Sequence, residues 1–165
     1  MITVLVVEDD QLIAQAHETY LSRLEGFSCV AVAHTARDAM KVASEASATD
    51  APIDLVLLDL GLPDASGIQL ASALAGLRPA PDVIAITSER DLEMVRAAVA
   101  HGALAYLLKP FTFAAFRDRL ERCRRYRSAL PAGGPAKPDM AVWAPRRREL
   151  ARSSSSGSRP SRSGR

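Results

Sequence analysis

Five short apolar runs occur between Thr3 and Leu108, and none of them alternates apolar with polar residues. They occupy residues 3–7, 28–33, 55–58, 83–86 and 105–108, and each is followed by a stretch with helical spacing. A strand buried on one face alternates, whereas a strand covered on both faces reads as continuously apolar. Strand and helix in strict alternation therefore predict an α/β fold: a doubly wound, five-stranded parallel sheet with helices on both sides. The helical stretches carry their own boundary signals. Residues 11–24 place Ile13, His17, Tyr20, Leu21 and Leu24 at helical spacing, and Gly26 follows as a stop. Thr35 is placed to cap a helix with Ala36, Ala39, Met40, Ala43 and Ala46 on one stripe. A third helix is expected over 66–74 and a fourth over 91–100, which Gly102 ends. Thr112 opens the last, with Phe113, Phe116, Leu120 and Cys123 turned inward.

In open parallel sheets the functional crevice lies at the carboxyl ends of the strands. The residues there are Glu8 and Asp9 after the first strand, Asp59 after the third, Thr87 after the fourth and Lys109 after the fifth. The second strand ends without an acid. Two like charges about 4 Å apart repel by roughly 4 kcal/mol at an effective dielectric near 20. Three clustered carboxylates thus call for a proton or a cation, and an all-oxygen donor set suits Mg²⁺. An anion arriving at Asp59 would meet that cation, Lys109 and the Thr87 hydroxyl together, and a carboxylate can act as nucleophile toward phosphorus. Each residue also has a plainer reading. Acids after strands commonly cap helices, Lys109 before Pro110 is placed like a surface lysine, Thr87 could close a turn, and Tyr106 could simply pack. The joint placement at successive strand ends is what favours chemistry.

The segments VLVVEDD, DLVLLDLGLPDASG, VIAITS and AYLLKPF resemble, in order, the four signature stretches of response-regulator receiver domains. The resemblance covers residues 1–127 and implies a flavodoxin-like (βα)5 receiver. It implies Asp59 as phosphoacceptor for a sensor histidine kinase. Mg²⁺ would be held by Glu8, Asp9, Asp59 and the Gly61 main-chain carbonyl. Thr87 and Lys109 would bind the phosphoryl group, Thr87 and Tyr106 would form a switch, and Pro110 would follow a cis peptide. It further implies a protein that catalyses only its own phosphorylation and dephosphorylation, regulates an output such as transcription, and can form a homodimer on phosphorylation. The run YLLKPFTFAAFRDRLERCRRY resembles, more narrowly, the citrate/malate-type response regulators, in which a helix-turn-helix domain follows the receiver.

Residues 128–165 depart from that pattern. Beyond Leu130 there is no second pair of amphipathic helices, and residues 131–165 hold 5 Pro, 4 Gly and 7 Ser. Such a segment is expected to be a disordered tail. Its charge is also different: 8 Lys/Arg against 2 Asp/Glu in 131–165, but 13 against 17 in 1–130. Arginines 146–148 could contact DNA phosphates, so a DNA-binding regulator acting through this segment is the rival reading, alongside a truncated, phosphate-shuttling receiver. An aspartate-nucleophile phosphatase would need an acid two residues after the nucleophile, where Gly61 stands. Cys29 and Cys123 are expected to be reduced thiols, and the scattered His17, His34 and His101 to be structural or surface residues. No apolar run is long enough to cross a membrane, and no secretory signal is read at the start, which together predict a cytoplasmic protein.

Overall fold

A computed structural model describes residues 1–88 and 92–129, so the expected tail lies outside the described residues from 130 onward. The elements are β1 (Ile2–Val7), α1 (Gln11–Ser22), β2 (Phe27–Ala33), α2 (Ala36–Ser47), β3 (Leu55–Asp59), α3 (Gly67–Ala75), β4 (Asp82–Ser88), α4 (Leu92–Ala100), β5 (Ala105–Lys109) and α5 (Phe113–Ala129). All strand pairs are parallel, and the sheet order is β2-β1-β3-β4-β5. This is the flavodoxin-like order, and the fold class expected from the sequence is the one found. The order reverses where β1 meets β3, which opens the crevice between the carboxyl ends of those two strands.

The apolar runs hide a period of two. Val4, Val6, Leu55, Leu57, Ile84, Ile86, Ala105 and Leu107 form one core layer with Leu21, Phe116, Leu120 and Cys123 from α1 and α5. Leu5, Val7, Val56, Leu58, Val83 and Ala85 form the other, with Ala39, Ala43, Leu70, Leu74 and Ala98 from α2, α3 and α4. Each large aliphatic side chain so buried stabilises by about 1.5–3 kcal/mol, so a one-residue slip in any strand would exchange one layer for the other.

Differences from the expected boundaries have local causes. Helix α1 ends at Ser22 rather than 24, because Leu24 bonds back to Leu21 O in the turn and Gly26 takes φ +85° to lead into β2. Ile13, placed on the inner stripe by spacing, faces solvent, as does Leu12. Strand β4 runs two residues further than expected, to Ser88, by pairing with β5. Of the inward set on α5, Phe116, Leu120 and Cys123 are buried and Phe113 is half-buried. Both cysteines are free thiols. At the amino edge of the sheet, Arg127 donates to Asp82 and Asp54, each at 2.6 Å, fastening the end of α5 under β3 and β4. Among the described residues, no helix is long and apolar enough to cross a membrane.

Candidate functional site

Strand alternation aims the polar residues. Glu8 continues the parity of Val4 and Val6, Asp59 that of Leu55 and Leu57, and Lys109 that of Ala105 and Leu107, so all three turn toward the α1/α5 side at the carboxyl rim. There Lys109 Nζ donates to Asp59 Oδ2 at 2.8 Å and to Glu8 Oε2 at 3.1 Å. The Gly61 N–H donates to Asp59 Oδ1 at 2.8 Å. Glu8 and Asp59 are buried, and Asp9, exposed, completes a set of three carboxylates whose oxygens lie within 4.8 Å of one another. Asp10 does what the plainer reading proposes: its Oδ1 caps α1, accepting from Leu12 and Ile13 N–H at 2.9 and 3.1 Å.

Thr87 has the opposite parity, that of Val83 and Ala85, and is buried. Tyr106 packs on the same α2/α3/α4 layer, beside Ala85, half-buried, with the Arg119 guanidinium 5.7 Å from its ring centre. The structure thus groups Glu8, Asp9, Asp59 and Lys109 directly, and sets Thr87 and Tyr106 on the other face of the same strand ends. The Lys109–Pro110 peptide is cis.

The electrostatics follow from burial in company. Burial, with Asp59 alongside, raises Glu8 to about 7 against the pull of Lys109. Burial also pushes Asp59 up, but hydrogen bonds with Glu8, Lys109 and the Gly61 N–H outweigh it and hold the carboxyl below its ordinary value. Lys109, though half-buried, is raised by the two acids. Three carboxylates face one lysine, so their full ionisation would leave the site with surplus negative charge. A hard divalent cation fits that surplus and this all-oxygen donor set.

Two contacts at this rim lay beyond sequence reasoning. His34 Nδ1 lies 2.7 Å from the Glu8 carbonyl oxygen. Asp64 accepts from the Ala36 and Arg37 N–H groups that open α2. Neither residue belongs to a spacing pattern that names its partner; His34 meets Glu8 because β2 lies beside β1, and Asp64 meets the start of α2 because β3 flanks β1 on its other side.

Beside Lys109 opens a groove of about 580 Å³ bordered by Leu12, Ile13, His17, Tyr20, Pro110 and Phe111. His17 is buried at its edge, stacked on Phe111 and Phe116 at 5.7 and 6.2 Å, and its Nδ1 has no partner among the described residues. Burial chiefly, with Lys109 nearby, lowers it from 6.5 to about 4, against the opposing pull of Asp59. A base depressed on folding contributes stability above its unfolded value, and loses it as pH falls through the folded one. His17→Leu is therefore expected to gain stability relative to wild type between about pH 7.5 and about pH 4, by an amount on the order of 2 kcal/mol. Glu8 slopes the other way in both proteins and cancels in the comparison. Urea unfolding of both at the two pH values checks this, and a constant difference would show that His17 takes up its proton as readily folded as unfolded.

A flavodoxin-like sheet that gathers carboxylates and a lysine at its carboxyl rim is an α/β module with an acidic site at the strand ends. The sequence model described as response regulator receiver domain matches residues 4–121, and the chain belongs to that family. It is 35% identical over 125 residues to the transcriptional regulatory protein MalR of Bacillus subtilis, covering 76% of this chain and 51% of that protein. With the transcriptional regulatory protein DcuR of Shigella flexneri it shares 34% over 130 residues, 79% of this chain and 53% of that one. The chain thus spans about half the length of these relatives. A solved receiver domain protein from Clostridium thermocellum superposes with a TM-score of 0.69 at 24% identity, covering 79% of this chain and all (100%) of the other. A CheY-like receiver from Methanospirillum hungatei gives 0.63 at 28%, covering 78% and 94%.

Proposed function

We propose that the chain accepts a phosphoryl group on Asp59 from a sensor histidine kinase and thereby switches an output. The observation that carries this reading is Lys109 bonded to both Asp59 and Glu8, with Asp9 within reach. Asp59, kept ionised, attacks phosphorus; a P–O bond forms as the P–N bond to the donor imidazole breaks, and the nitrogen keeps the electron pair. Lys109 stays charged and faces the added negative charge. Glu8, Asp9, Asp59 and the Gly61 carbonyl would hold Mg²⁺, which when bound supplies charge neutralisation at the incoming phosphoryl oxygens. The exposed Leu12 and Ile13 beside Lys109 support a donor helix seated in the groove.

Burial of Thr87 and its proximity along the sheet to Tyr106 support a switch. The Thr87 hydroxyl bonds the phosphoryl group, and Tyr106 follows into the space vacated. The self-catalysed gain and loss of phosphate are the only chemistry assigned. The output proposed is transcription, because the relatives are transcriptional regulators; phosphorylation-dependent pairing of two copies and a cytoplasmic location go with this reading, while contact with DNA through residues 131–165 belongs to the rival one. Acetyl phosphate is the test. With Mg²⁺ one phosphoryl group per chain is expected, stable in acid and labile in base, and with EDTA none. Labelling of equal extent in EDTA would remove the cation from the reading.

A further inference from the structure

The end of β2 carries no acid, yet the turn it leads into touches both loops that bear the acidic site. His34, the first residue of that turn, places Nδ1 2.7 Å from the main-chain oxygen of Glu8. A carbonyl only accepts, so Nδ1 carries a proton and His34 donates. Two residues on, α2 begins. Its first three N–H groups have no partners within the helix and are all taken by side chains. Thr35 accepts from Asp38 N–H at 3.1 Å. Asp64 accepts from Ala36 at 2.8 Å through Oδ1 and from Arg37 at 3.1 Å through Oδ2. Asp64 is five residues past Asp59, in the loop that also carries Gly61. One turn thus grips the Glu8–Asp10 segment through His34 and the 60–66 loop through Asp64.

We infer that His34 and Asp64 are positioning residues for the acidic site: through the start of α2 they fix the spacing between the β1 loop, with Glu8 and Asp9, and the β3 loop, with Gly61. The inference rests on the proposed reading of that site. Neither residue need touch the cation or the phosphoryl group. Glu8 and Gly61 sit on separate loops beyond the last β1–β3 pair, Val7 with Leu58; Lys109 ties Glu8 to Asp59 through side chains, and the start of α2 is a second tie between the same two loops. Asp64 is exposed and its carboxylate is held below its ordinary value chiefly by the Ala36 N–H, so it keeps its charge at the helix start.

Thr35 supplies the control, because its side chain caps the same helix by accepting from Asp38 N–H, within α2 itself. Mg²⁺ titration followed by amide NMR on the whole chain is the experiment, with hydrogen exchange of the Gly61 and Asp10 amides in EDTA as a second readout. Asp64→Ala and His34→Ala are expected to weaken Mg²⁺ binding about three- to tenfold, below the losses typical of buried partners that orient metal ligands directly. Asp64→Asn, which keeps one acceptor, is expected to fall between Asp64→Ala and wild type. Thr35→Ala is expected to lower the melting temperature and leave Mg²⁺ affinity within about twofold. Exchange at Gly61 should quicken in Asp64→Ala and at Asp10 in His34→Ala, and not in Thr35→Ala. Equal loss of affinity in Thr35→Ala, or none in Asp64→Ala, would overturn the brace. Wild type that neither binds Mg²⁺ nor takes label would overturn the reading of the site itself, and the exchange rates would then still decide whether the turn holds the two loops.

Discussion

Asp59→Asn is expected to keep the fold and lose the label. The amide nitrogen is no nucleophile toward phosphorus, and the remaining amide oxygen lacks the charge that Lys109 and the Gly61 N–H now stabilise. A fall of roughly a hundredfold or more in acetyl phosphate labelling is expected, equivalent to about 3 kcal/mol or more at the transition state. Folding should survive, because the substitution removes one of two crowded carboxyls and leaves Glu8 bonded to Lys109 at 3.1 Å. The lost charge facing Lys109 and the eased crowding of Glu8 oppose one another, so the melting temperature in EDTA should stay within a few degrees of wild type. That pairing of outcomes separates lost chemistry from lost structure. Asp9, Asp10 and Asp64 lie on the same rim and are the alternative acceptors, so peptide mapping of the wild-type label is part of the measurement. Full labelling of Asp59→Asn, or a wild-type label on one of the other three, would remove Asp59 from the role.

Why that rim was legible in the sequence, and its support was not, follows from what each depends on. Asp59 and Lys109 end buried strands and Glu8 follows one directly, and strand ends are marked by where an apolar run stops. A parallel sheet then brings all such ends to one edge whatever the details of packing. Which way each residue turns is a matter of parity, and parity is masked when both faces are apolar. The runs through Val4–Val7 and Leu55–Leu58 give no hint of which members face α1 and α5. So the sequence could join Thr87 to Lys109 on one rim but could not separate the faces they take. Ile13 was misplaced for a related reason: helical spacing identifies a stripe, and the stripe of α1 that packs is centred on Ala14, His17 and Leu21. His34, Asp64 and Arg127 act through contacts 26, 27 or 28, and 73 or 45 residues away in sequence, and such pairings have no local signature.

Gly67→Ala is expected to damage stability and labelling together. A Cβ on Gly67 would stand 2.6 Å from Leu60 Cα, 3.0 Å from Leu60 O and 3.1 Å from Asp59 O. All three are backbone atoms, and no rotamer change relieves the contact. Leu60 is buried and its N–H is bonded to Ile86 O at 3.0 Å, so the strand end cannot easily retreat. Helix α3 cannot easily retreat either, since Leu70, Ala71 and Leu74 are packed in the core. Overpacking of this kind costs about 1–3 kcal/mol, and the gain from replacing glycine in a helix, about 0.5–1 kcal/mol, offsets part of it. A melting temperature lower by several degrees is expected, at about 2–6 °C per kcal/mol for a domain of this size. Since the displaced backbone is that of Asp59 itself, labelling should slow by about tenfold, as a misplacement near 1 Å suffices for losses of that order or more. Gly76→Ala is the matched control. It carries the same entropic gain at the other end of α3, at φ −79°, and its Cβ would meet only Ala73 O of the preceding turn, at 3.1 Å. Its labelling should match wild type. If Gly67→Ala melts and labels like Gly76→Ala, the approach of α3 to the strand end is looser than the 2.6 Å contact requires, and α3 does not set the position of Asp59.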